Sequence, residues 1–148
     1  MPIVYLDTNV FIAAFEGPGG LGDDVWPLLE AVERGELHAA TCELTLAEVL
    51  VHPLRRGDDA LAAAYEAMIA PSASLSVVAV DRALLTSAAR LRAERPALRL
   101  PDALHLAAAL RVGADLLVTR DVRLRSLSPI PTADGGSQSL DRLREVRT

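Results

Sequence analysis

Apolar positions along this chain fall either in short unbroken runs or at helical spacing, and the alternation between the two predicts its elements. Ile3-Val4-Tyr5-Leu6, rich in β-branched and aromatic residues, reads as a short buried strand. Thr8 to Glu16 reads as a helix that stops at Gly17-Pro18-Gly19-Gly20. Asp23 and Asp24 begin a second helix with Val25, Leu28, Leu29 and Val32 at i, i+3, i+4 and i+7; Pro27 falls in its first turn and Gly35 ends it. His38 to Cys42 is a second strand. Thr45 then opens a helix through about Val51 that Pro53 interrupts, and Arg55 to Asp59 form a polar link. Asp58 or Asp59 caps a helix over Ala60 to Ala70, broken by Pro71-Ser72.

Leu75 to Val80 is a third strand, and Asp81 caps a long helix to about Glu94, ended by Pro96. Asp102 opens an Ala/Leu-rich helix to Arg111, with Gly113 just past its end. Asp115 to Thr119 is a fourth strand, and a short helical turn after Asp121 reaches Leu127. Ser128-Pro129-Ile130-Pro131 cannot continue that turn. Thr132 to Gln138 reads as a flexible loop before a terminal segment with Leu140, Leu143 and Val146 on one face. Strand alternating with helix indicates one α/β domain with a mostly parallel sheet. Residues 1–131 are expected to form the body, with 132–148 as a loop and short helical tail of the same domain.

Composition narrows this picture. A chain of 148 residues suits one domain with a real core. Its longest apolar runs, such as Val77 to Val80, are too short to span a bilayer, and no basic n-region precedes Asp7, so neither a membrane anchor nor a signal peptide is expected. The single cysteine, Cys42, cannot form an intramolecular disulfide, which fits a reducing cytoplasm. A net charge of −5 argues against charge-driven coating of nucleic acid. All fifteen basic residues are arginine. Without lysine, a P-loop module or a phospho-accepting receiver domain is disfavoured.

Four carboxylates carry the chemistry. Asp7 follows the first strand, Asp121 follows the fourth, and Glu48 and Asp102 lie on helices that follow or precede strands. In a parallel sheet ligands sit beyond the carboxyl ends of the strands, so acids placed there converge. Uncompensated charges so gathered repel, and hard divalent cations are the usual remedy. Each acid also has a purely structural explanation. Asp7, Asp102 and Asp121 stand at helix starts, where aspartate caps, and Thr45-Leu46-Ala47-Glu48 matches a capping box. Capping explains each position singly but not their common placement. Asp81, Glu43 and His105 remain open as contributors; His105 reads mainly as a satisfied, partly buried histidine.

The stretches Val4-Tyr5-Leu6-Asp7-Thr8-Asn9-Val10, Leu44-Thr45-Leu46-Ala47-Glu48-Val49-Leu50, Pro101-Asp102-Ala103-Leu104-His105-Leu106-Ala107-Ala108-Ala109 and Leu117-Val118-Thr119-Arg120-Asp121 together resemble the PIN-domain ribonucleases, in particular the VapC-type toxins of toxin–antitoxin pairs. The resemblance implies a PIN-like three-layer domain with a four- or five-stranded parallel sheet flanked by helices. It also implies a Mg²⁺-dependent endoribonuclease, with Mn²⁺ as substitute, held by Asp7, Glu48, Asp102 and Asp121. An RNA substrate, a cognate antitoxin and a homodimer follow from the same likeness. Arg120 stands where the family often has a smaller polar residue.

Asn9 and Thr119 are candidates for orienting the neighbouring carboxylates or water, with backbone capping as the alternative. Arg120, Arg123 and Arg125 are candidates for phosphate contacts, with a solvated turn as the alternative. Two other functions stay open. A non-catalytic PIN fold would bind RNA or protein without cutting it. A haloacid-dehalogenase-like phosphatase needs a second acid two residues after its first, and here that position is Asn9.

Overall fold

The N-terminal strand, β1 (Ile3–Leu6), lies in the middle of the sheet and feeds both of its faces. The computed structural model describes residues 1–17, 21–136 and 138–147, so most of the stop predicted at Gly17-Pro18-Gly19-Gly20 lies outside the described residues. The other elements are α1 (Thr8–Glu16), α2 (Leu21–Glu33), β2 (His38–Cys42), α3 (Glu43–Arg56), α4 (Asp59–Met68), β3 (Leu75–Val78), α5 (Arg82–Glu94), α6 (Leu100–Arg111), β4 (Leu116–Val118), α7 (Val122–Leu127), β5 (Thr132–Ala133) and α8 (Ser139–Arg147). Among the described residues the strands form one five-stranded sheet in the order β3-β2-β1-β4-β5, each neighbouring pair parallel.

Period-two alternation divides the core. Val4 and Leu6 of β1, with Leu116 and Val118 of β4, face one layer built from α1, α2, α4 and part of α8. Tyr5 and Leu117 face the other, built from α5, α6 and α7. The register, Val4 beside Leu116 and Leu6 beside Val118, keeps the two sets aligned. Helix α6 is buried from Ala103 through Ala109, as expected of a helix apolar all round. The result is a three-layer α/β/α domain. Chain order moves outward from β1 to β2 and β3 on one side and to β4 and β5 on the other, so the switch point, with its crevice, lies between β1 and β4.

The structure corrects several element boundaries. Helix α2 begins at Leu21, so Pro27 lies inside it and not in its first turn. Helix α3 starts at Glu43 with Cys42 as its N-terminal boundary, and it continues through Pro53 to Arg56. The proline ring is buried there, which offsets the lost backbone donor. Gly57, at φ +64, ends the helix instead. Strand β3 stops at Val78, and Asp102 is the third residue of α6, not its opener.

The predicted loop over Thr132 to Gln138 contains β5. Leu117 N donates to Pro131 O at 2.8 Å, and Thr119 N donates to Ala133 O at 2.9 Å. Two residues of pairing carry no periodicity for sequence reasoning to detect.

Candidate active site

Asp7 follows β1 at the switch point and is only 7% exposed. Its Oδ1 accepts the Thr8 amide at 2.8 Å, the expected helix cap. Its Oδ2 is used differently: the Thr119 hydroxyl donates to it at 2.7 Å and the Asn9 side-chain amide at 3.2 Å. Asn9 also donates to Thr119 Oγ1 at 3.2 Å and accepts the Arg120 amide at 3.0 Å. The Asp121 amide donates to the same Thr119 hydroxyl at 3.1 Å. Thr119 and Asn9 thus tie the acid after β1 to the acid after β4.

Glu48 is not part of a capping box. The Thr45 hydroxyl meets that of Thr41 at 2.7 Å, while Thr41 donates to Leu6 O at 2.9 Å; Thr45 is therefore buried at the strand junction. Glu48, one turn further along α3, turns its Oε1 to the Thr8 hydroxyl at 2.7 Å and to His105 Nε2 at 2.8 Å. Burial works to raise the Glu48 pKa, but the hydrogen bonds from His105 and Thr8 hold it below its ordinary value.

His105, 2% exposed, is satisfied as expected, yet its partners belong to the site. Its Nδ1 meets the Tyr5 hydroxyl at 2.7 Å, and its Nε2 also approaches Thr8 Oγ1 at 3.2 Å and Asp7 Oδ1 at 3.5 Å. Burial, followed by the negative field of neighbours that include Cys42 and Asp7, pushes the Tyr5 phenol well above its ordinary value, so it stays protonated. A phenol donating to Nδ1 leaves Nε2–H to donate toward Glu48. Sequence reasoning missed Tyr5 and Thr8 altogether. The available signals were the hydroxyl beside Asp7 and the one-turn spacing of His105 from Asp102.

The other two acids meet an arginine. Arg123 Nη2 donates to Asp102 Oδ2 at 2.6 Å and lies 3.5 Å from Asp121 Oδ2. The hydrogen bond to Asp102 raises the guanidinium's already high pKa. Asp121 caps α7 through Oδ1, accepting the Arg123 and Leu124 amides at 3.0 and 3.2 Å. Asp102 accepts the Arg99 amide at 3.2 Å. The capping explanations therefore hold for one oxygen of Asp7 and Asp121 and in part for Asp102, and fail for Glu48.

One chain of hydrogen bonds and ion pairs consequently runs from Glu48 through Thr8 to Asp7, through Thr119 to Asp121, and across Arg123 to Asp102. Among the described residues no three His, Cys, Asp or Glu side chains surround a single point closely enough to hold an ion. Glu48 Oε2 and Asp102 Oδ1 have no hydrogen-bond partner among the described residues.

The remaining candidates lie elsewhere or do other work. Asp81 accepts the Leu84 amide at 2.8 Å and both Arg111 nitrogens at 3.0 and 3.1 Å, so it caps an element beside the edge strand. Glu43 is exposed in the first turn of α3. Arg120 buries its Nε without a partner among the described residues. Arg125 lines a cavity of about 550 Å³ with Asp134, Asp141 and Arg142, and none of the four acids reaches it.

A parallel five-stranded sheet with acids gathered at its switch point makes this an α/β domain with a candidate acidic site. The PIN domain family model matches residues 4–128, and the chain belongs to that family. No curated protein matches it by sequence. Among solved structures it is similar to VapBC2 from Rickettsia felis bound to a promoter DNA fragment, at 16% identity and a TM-score of 0.65, covering 88% of this chain and 97% of that one. It is also similar to Mycobacterium tuberculosis VapC20, a sarcin-ricin loop cleaving toxin, at 17% identity and a TM-score of 0.68, covering 83% and 93%. A toxin–antitoxin complex from Klebsiella pneumoniae matches at 22% identity and a TM-score of 0.63, covering 89% and 97%. Among the described residues no helix is long and apolar enough to cross a membrane.

Proposed function

We propose that this chain is a divalent-metal-dependent endoribonuclease, the toxin of a type II toxin–antitoxin pair. The observation that carries the reading is the continuous network joining all four acids at the β1/β4 switch point. Family membership and likeness to a sarcin-ricin loop cleaving toxin and to toxin–antitoxin complexes point the same way. Retention of all four acids in one network argues against a binding-only fold.

The donor set suits Mg²⁺ or Mn²⁺, since it is made of carboxylates and offers Glu48 Oε2 and Asp102 Oδ1 as hard oxygens without protein partners among the described residues. Asp7, Glu48, Asp102 and Asp121 are the residues that would hold the ion. The chemistry such an ion supplies is acidification of a water and neutralisation of charge building on the phosphoryl group. The chain's own residues do the positioning. Thr119 and Asn9 fix the plane of Asp7, while His105 and Thr8 keep Glu48 ionised and aimed, ready to order the attacking water. Arg123, beside the acids, is the cation offered to the RNA backbone.

A toxin acting on cellular RNA works in the cytoplasm, where a reduced Cys42 is at home. A cognate antitoxin would have to cover the acids. A homodimer would need an apolar contact, for which Leu85 of α5 and Leu110 of α6, each 47% exposed, are the side chains to test, and a monomer by analytical ultracentrifugation would remove it. The deciding experiment is sequencing of RNA 5′ ends after induction of the wild-type chain, beside purified protein incubated with RNA with and without EDTA. Discrete new ends that EDTA suppresses support the reading. RNA retained intact under both conditions returns the chain to the binding-only alternative.

A further inference from the structure

We infer that Arg123 is a built-in counter-ion for Asp102 and Asp121, one that a divalent cation must displace, so that metal loading frees the guanidinium for the RNA backbone. The inference rests on the nuclease reading above and assigns one residue of that site a second position.

The geometry is specific. Asp102 comes from α6 and Asp121 from the boundary of α7, and both turn an Oδ2 toward one nitrogen, Arg123 Nη2, at 2.6 and 3.5 Å. The same residue's backbone amide holds Asp121 Oδ1 at 3.0 Å, so Arg123 grips both oxygens of that acid. Two carboxylates sharing one nitrogen would repel each other strongly without it. A guanidinium and a divalent cation answer the same need, and both cannot sit between the same two oxygens.

Arg123 could instead be a fixed strut between α6 and α7, but three observations favour a displaceable cation. The side chain is 35% exposed, so a route to solvent is open. Its other end rests on Ala97 O at 3.4 Å, a long contact. Asp102 and Asp121 both keep backbone amide donors of their own, at Arg99 and Leu124, so neither loses its place when the side chain leaves. A freed arginine beside the ion then presents its planar donors where a phosphate arrives, with the charge it needs already in place.

The test uses the full chain and Mn²⁺ alone, without RNA. Calorimetric titration of wild type, Arg123→Ala and Arg123→Gln measures affinity, and melting in EDTA measures the cost of leaving the acids uncompensated. Both variants are expected to bind Mn²⁺ about fivefold tighter than wild type and to melt up to about 3 °C lower without metal. Arg125→Ala, which removes an equal charge from the same helix, controls for the general field and is expected to change affinity less than either. In an Asp102→Asn background the effect of Arg123→Ala should shrink. Equal or weaker Mn²⁺ binding by both Arg123 variants, or an equal gain in Arg125→Ala, overturns the displaced counter-ion and leaves the nuclease reading standing. Absence of Mn²⁺ binding in wild type and variants alike overturns both.

Discussion

The two halves of the site are held by different physics. Asp7 and Glu48 sit among hydroxyls, an amide and an imidazole, with Asp7 nearly sealed from solvent. Asp102 and Asp121, about as exposed as the first pair, share a single guanidinium that is itself 35% exposed, whereas the imidazole of the other half is 3% exposed. Oriented neutral donors fix a carboxylate's direction and resist screening, whereas an exposed ion pair supplies charge balance that salt and competing cations erode. The difference suggests a rigid half that sets geometry and an adjustable half that exchanges partners.

The largest break in that contrast comes from the rigid half. Asp7→Asn should reduce RNA cleavage to background while the far-ultraviolet circular dichroism spectrum stays that of wild type; full cleavage by the variant would falsify the assignment. Thr119→Ala removes a donor to Asp7 without touching any acid. A drop of roughly tenfold to a hundredfold in cleavage is expected, and an unchanged rate would make Thr119 a strand-end residue only. His105→Leu removes the shared partner of Tyr5 and Glu48; Glu48 keeps the Thr8 hydroxyl and is partly exposed, so the loss of about 1–3 kcal/mol expected by urea unfolding comes from the buried Tyr5 hydroxyl. No measurable loss would mean that water takes over its bond.

Acid acts more gently. The folded-state pKa of Glu48 is depressed, so its contribution to stability is fully present above the ordinary value of 4.5 and is lost as pH falls through the lower folded value. Denaturation midpoints should therefore fall on acidification below about pH 4.5, and less in Glu48→Gln than in wild type. The smallest effect belongs to the adjustable half. Raising salt from about 0.1 M to 1 M, which shortens the Debye length from about 10 to 3 Å, should narrow the melting difference between wild type and Arg123→Ala in EDTA. A difference that survives high salt would move Arg123 into the rigid class.

Much of this was legible in the chain. The exact spans of α1 and β2 follow from apolar runs and helix spacing, and the four acids that the motifs single out lie along one network in the fold. Three features were not. Pro53 reads as a helix breaker because local propensity carries no information about a buried ring. Thr45 reads as a cap because a four-residue pattern cannot reveal that Thr41 claims its hydroxyl. Arg123 reads as a phosphate ligand because its two aspartate partners meet only once α6 and α7 have docked. Tyr5, inside an apolar strand, gives no hint that its hydroxyl reaches a histidine a hundred residues away.

Because β5 occupies the outer side of β4, the amides of Leu117 and Thr119 are withheld from any other chain. A protein lacking the residues from Pro131 onward would expose both to passing strands. Proteolysis of the tail would then leave Thr119 without its anchor and give the remnant a sticky margin, so that inactivation and self-association begin with the same cut.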